Sequence, residues 1–166
     1  MTEHKKDNVG PLSGIRILDL SSVVMGPFAT QILADLGADV IKVEPPSGDT
    51  MRAVGPMRNP AMGALFLHLN RNKRSVVLDL KTPAGQEACL QLIRESDVLL
   101  YNLRPAAMAR LGLDYERVAA ANPAIVYVGA YGFGEDGPYA GRPAYDDLIQ
   151  GMTGLGHLYQ QQSGDV

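Results

Sequence analysis

The 166 residues suffice for one domain with a sizeable core, or for one piece of something larger. Hydrophobic residues make up 46% and charged residues 20%, an ordinary globular balance, and no apolar run is long enough to cross a bilayer as a helix. Fifteen basic against eighteen acidic side chains leave a net charge of −3, which excludes the strong basic excess of a nucleic-acid-binding chain.

Residues 1–10 are polar and carry Lys5 and Lys6 with no apolar core behind them. They resemble neither a signal peptide nor a membrane anchor and are expected to form a flexible N-terminal tail. Short aliphatic or β-branched runs follow at 15–20, 40–44, 75–80, 97–100 and 125–128, separated by helix-like stretches. That alternation predicts an α/β fold, a Rossmann-like mostly parallel sheet flanked by helices, because near-continuous apolar strands such as Val98, Leu99 and Leu100 need cover on both faces.

After the first run, Gly26 and Pro27 open a helix in which Phe28, Ile32, Leu33 and Leu36 share a face, and Gly37 stands where a left-handed cap belongs. Residues 45–58 turn rich in Pro, Gly and small polar side chains, a long loop at a strand's carboxyl end, where open α/β sheets bind ligands. Thr82 and Pro83 cap and start a second helix, reaching about Glu95. Cys89 lies within it and reads as a buried thiol of a reducing compartment, so the chain is expected to be cytoplasmic. Residues 131–143 hold too much Gly and Pro for regular structure, and 144–158 read as a helix that Gly151, Gly154 and Gly156 weaken.

Three constellations carry possible chemistry. Asn72, Lys73 and Arg74 concentrate charge that either holds a phosphate or forms a solvated basic turn. Asn102, Leu103 and Arg104 follow the fourth strand, with Arg110 one short helix later; two arginines there can clamp a pyrophosphate, or one can cap a helix. Asp146 and Asp147 open the last helix, where carboxylates meet a positive helix terminus. His4, His68 and His157 lack ligand spacing, so no metal is expected. The first strand turn has only Met25-Gly26-Pro27 in place of a dinucleotide fingerprint, and Ser21-Ser22 lacks a nucleophile elbow.

In order, Pro11-Leu12-Ser13-Gly14-Ile15-Arg16-Ile17-Leu18-Asp19-Leu20, Leu36-Gly37-Ala38-Asp39-Val40-Ile41-Lys42-Val43-Glu44-Pro45-Pro46, Gly48-Asp49, Asn72-Lys73-Arg74-Ser75, Leu78-Asp79-Leu80-Lys81, Asp97-Val98-Leu99, Arg110-Leu111-Gly112-Leu113 and Gly132-Phe133-Gly134 follow the opening of one family. The chain resembles the CaiB/BaiF, or family III, CoA-transferases over nearly its whole length after residue 10. The resemblance implies acyl-CoA and a carboxylic acid acceptor as substrates, no tightly bound cofactor, and two full-length chains interlocked as a homodimer. It makes 11–166 the N-terminal part of the CoA-binding large domain, lacking the small domain. An aspartate that attacks the donor thioester is then expected beyond Val166, with Asp165 in the turn ahead of it.

Residue by residue, the resemblance puts Arg110 near the CoA phosphates and Asn102 with Leu103 along the CoA channel. Val24 and Met25 fall beside the thioester end, and Asp146 is an auxiliary acid beside the nucleophile. Asn72, Lys73, Arg74, Arg104 and Tyr145 complete the expected CoA-facing set. Val24 stands for a glutamine and Pro45 for an arginine of formyl-CoA transferase, which argues against oxalate and formate. Tyr145 replaces the histidine of the related α-methylacyl-CoA racemases; a phenol of pKa near 10 is a poor base at neutral pH, which favours transfer over racemisation. A racemase-like isomerase and an inactive CoA-binding remnant are the alternatives, and the 166 residues alone are expected to be inactive.

Overall fold

The computed structural model describes residues 9–164, which divide into two compact units, 9–130 and 131–164. In the first unit, β1 (Arg16–Asp19), α1 (Met25–Asp35), β2 (Asp39–Glu44), α2 (Ala64–Leu69) and β3 (Lys73–Val77) are followed by α3 (Pro83–Arg94) and β4 (Val98–Tyr101). Then come α4 (Pro105–Arg110), α5 (Tyr115–Ala121) and β5 (Val126–Gly129). The strands form one parallel sheet in the order β3-β2-β1-β4-β5, as the alternating pattern predicts.

Central strands carry the burial. Leu18 pairs with Ile41 on one side and Leu99 on the other, and both Leu18 and Leu99 are 0% exposed. Ile17, Val40, Ala34 and Ala38 pack together where α1 meets the sheet. Of the predicted apolar face of α1, Leu33 packs against the core but Phe28, Ile32 and Leu36 are exposed, whereas Gly26, Pro27, Thr30, Gln31 and Ala34 face inward. Close approach is the reason, since a side chain at Gly26 would collide with Ser21.

Other expected boundaries move by small amounts. β3 begins at Lys73, two residues earlier than its aliphatic run, because an edge strand tolerates charged side chains such as Lys73 and Arg74. Thr82 caps α3 as expected, its hydroxyl accepting from the Gly85 amide at 3.1 Å. Gly37 has φ +101°, the left-handed cap after α1. A short 3-10 turn, Thr50–Ala53, lies in the 45–58 loop. Cys89 is fully buried, and burial pushes its thiol up to about 12.

In the second unit, residues 131–143 are irregular, with the Phe133 and Tyr139 rings 5.4 Å apart. The single weak helix expected after them is two, α6 (Asp146–Met152) and α7 (Leu155–Ser163), separated where Gly154 adopts φ +73°. Neither buries a side chain. Among the described residues no helix is long and apolar enough to cross a membrane.

Candidate functional site

The strand order places β2 and β3 on one side of β1 and β4 and β5 on the other, so the crossovers diverge between β1 and β4. There the carboxyl ends of neighbouring strands open a crevice. Asn102, just after β4, spans it: its Oδ1 accepts from the Ser22 amide at 3.1 Å and its Nδ2 donates to the Ser22 carbonyl at 2.9 Å. Beside it lies a cleft of about 330 Å³ at the carboxyl ends of β1, β2 and β3. Leu20, Leu78, Leu80, Leu103 and Leu111 supply apolar walls, and Ser47, Thr50 and Lys81 supply polar ones.

The cleft floor is a buried ionic network. Lys42, 1% exposed, meets Asp49 Oδ2 at 2.9 Å and donates to the Ser21 carbonyl at 2.8 Å. Asp49 Oδ2 takes no hydrogen bond among the described residues besides that ionic contact. Glu44 accepts two bonds from Arg52, at 2.6 and 2.7 Å, one from Ser75 at 2.6 Å and one from the Asp49 amide at 3.1 Å. Burial alone would raise the Glu44 carboxyl; Arg52, Ser75 and the Asp49 amide outweigh it and hold the group at about 2. Arg52 also lies 3.8 Å from the Phe66 ring centroid.

A second buried pair sits under α1. Asp19, 0% exposed, accepts from Lys73 at 3.0 Å and from Thr30 at 2.6 Å. Lys73 Nζ also reaches the Pro27 carbonyl at 2.8 Å, and burial lowers its pKa despite the Asp19 charge. Asn72 donates to Asp35 at 2.6 Å, and Arg74 is bidentate on Asp39 at 3.0 and 2.7 Å. None of Asn72, Lys73 and Arg74 lines the cleft.

The remaining candidates divide between the two units. Leu103 is in the cleft wall, and Leu111, the neighbour of Arg110, is too. Arg104 and Arg110 are exposed, and among the described residues neither side chain forms a hydrogen bond or ion pair. Val24 and Met25 are exposed at the start of α1, next to Val23, whose φ of +72° is strained for a β-branched residue. In the second unit Tyr145 is 74% exposed at the N-cap of α6, and Asp146 accepts from Gln150 at 2.6 Å in its first turn. Asp165 and residues 1–8 lie outside the described residues. Sequence reasoning missed Lys42, Glu44, Asp49 and Lys81 as cleft residues; the available signal was two charged side chains, Lys42 and Glu44, alternating with Ile41 and Val43 in the buried part of a strand.

An all-parallel sheet in this order, with a cleft at its carboxyl ends, defines a Rossmann-like α/β domain. The family model described as CoA-transferase family III matches residues 12–165, and the chain belongs to that family. It is 45% identical over 161 residues to a succinate–glutarate CoA-transferase of Agrobacterium fabrum, covering 93% of this chain and 40% of that protein. An acetyl-CoA:oxalate CoA-transferase of Acetobacter aceti is 45% identical over 147 residues, 88% of this chain and 38% of that one. The crystal structure of a CaiB/BaiF family protein from Brucella suis matches with a TM-score of 0.84 and 43% identity, over 88% of this chain and 40% of that one. The chain thus spans about two fifths of the length of these relatives.

Proposed function

We propose that the chain supplies the CoA-holding part of a transferase that moves CoA from an acyl-CoA thioester to a carboxylic acid acceptor. The observation that carries this reading is the apolar cleft at the strands' carboxyl ends, bordered by the segments that bear Arg104 and Arg110. Its volume of about 330 Å³ falls in the range of small-molecule sites. An adenine ring suits leucine walls, and two arginines without competing carboxylates suit a pyrophosphate. Asn102, Leu103, Val24 and Met25 then lead the pantetheine arm along the crevice between β1 and β4 toward the thioester. Asn72, Lys73 and Arg74 hold Asp35, Asp19 and Asp39 and do not line the cleft, so they have no direct part in this reading.

The chemistry is covalent. A carboxylate attacks the thioester carbonyl and expels CoA thiolate, leaving a mixed anhydride; the thiolate attacks the enzyme's acyl carbon and releases the donor acid. The acceptor acid repeats these steps in reverse and leaves as its CoA thioester. In this reading the attacking aspartate and the small domain lie outside residues 1–166, Asp146 and Tyr145 sit near that aspartate, and two full-length chains interlock in the cytoplasm with CoA as substrate. Calorimetric titration with CoA tests the reading. Arg110→Ala is expected to weaken binding about tenfold or more, the loss of one charge-assisted bond, and Arg104→Ala to weaken it less. Unchanged affinity in Arg110→Ala removes that residue from the site.

A further inference from the structure

Lys42 has no part in the scheme above, yet it is a cation in a central region of a parallel sheet with a side chain 2% exposed. An ammonium left unpaired there is strongly destabilising, so its partners must be firmly placed. Those partners stand on two different segments that line the cleft. Asp49 belongs to the segment after β2, which lines the cleft with Ser47, Gly48 and Thr50; Ser21 belongs to the turn between β1 and α1. Among the described residues no hydrogen bond joins these two segments directly.

Each wall is otherwise fixed by its own contacts. Asp49 Oδ1 accepts from the Met51 amide at 3.0 Å, and the Asp49 amide donates to Glu44 at 3.1 Å, which leaves Oδ2 to Lys42. On the other wall the Ser21 amide donates to Asp19 at 2.9 Å and Ser22 is held by Asn102, which leaves the Ser21 carbonyl to Lys42. Two residues on, Val23 holds φ +72°, a conformation that persists only where the surroundings fix it.

We infer that Lys42 is a positioning residue: its buried ammonium ties the segment 45–53 to the turn 21–25, so that the nucleotide wall and the turn leading to Val24 and Met25 keep one mutual geometry. Its consequence for binding rests on the reading of the cleft as a CoA site; the link itself does not. Two variants separate these. Asp49→Asn keeps the Oδ1 acceptor and the shape while removing the charge facing Lys42. The pair Lys42→Met with Asp49→Leu replaces the ions by apolar groups of similar size, an exchange that often leaves stability near native.

Hydrogen–deuterium exchange on the ligand-free chain reads the link. In both variants the amides of residues 21–25, on the wall that Asp49 does not belong to, are expected to exchange about fivefold faster or more, with those of Leu18 and Leu99 unchanged. The double variant is expected to melt within a few degrees of the native chain and to bind CoA about tenfold more weakly. Native exchange at 21–25 in both variants overturns the inference, as does native exchange combined with weakened CoA binding, which makes Lys42 a direct ligand contact. Should the double variant fail to fold, Asp49→Asn decides alone. A native chain that does not bind CoA removes the CoA reading and leaves the exchange result to decide the link.

Discussion

The two units differ in what holds them. Every buried apolar side chain among the described residues falls between Ile17 and Val118, in the parallel-sheet unit, together with the buried pairs Asp19–Lys73 and Lys42–Asp49. In 131–164 the helices α6 and α7 bury nothing, and Leu148, Met152, Leu155, Leu158 and Tyr159 are all exposed. Stability within the described chain therefore belongs to the first unit, and the cleft is built from the same strands that carry it. The cleft is pre-formed by the core.

The largest expected contrast comes from the buried charges. Asp19→Ala strands Lys73 and should cost about 3–5 kcal/mol, whereas Asp146→Ala, on an exposed helix start, should change stability by no more than about 0.5 kcal/mol. Urea titration followed by circular dichroism measures both, and equal effects would break the contrast between the units. Next comes the apolar core: Leu18→Ala should cost about 2–5 kcal/mol and Leu158→Ala, 57% exposed, about 0.5 kcal/mol or less.

Acid sharpens the same contrast through Glu44. Its carboxyl is held at about 2 against an ordinary 4.5, so its stabilisation is fully present above 4.5 and is lost as pH falls from there through 2. The shift corresponds to about 3 kcal/mol, and Glu44→Gln should remove most of that pH dependence in urea midpoints measured between those limits.

Much of the fold was legible from periodicity. All five strands, the Thr82 cap and the left-handed Gly37 follow from local chemistry that tertiary contacts leave in place. The inward face of α1 was not legible, because Gly26 is buried by close approach to Ser21, Thr30 by a hydrogen bond to Asp19 and Gln31 by one to Asp35, rather than by hydrophobicity. Of the candidate site, the loops after β2 and β4 could be placed from strand ends alone. The buried partners of Lys42 and Lys73 could not: they lie 7 and 54 residues away from those lysines, and nothing local in the sequence pairs a lysine with one carboxylate over another. The proposed placement of Arg110 near the CoA phosphates and of Asn102 along the CoA channel came from the family resemblance, not from periodicity.

The most direct test of the cleft as the CoA site is an amide NMR titration of this chain with CoA. Shifts are expected to concentrate in residues 47–50, 78–81 and 102–111 and to saturate together with a single affinity. Saturable shifts confined to 131–164, or no shifts at millimolar CoA, would contradict it.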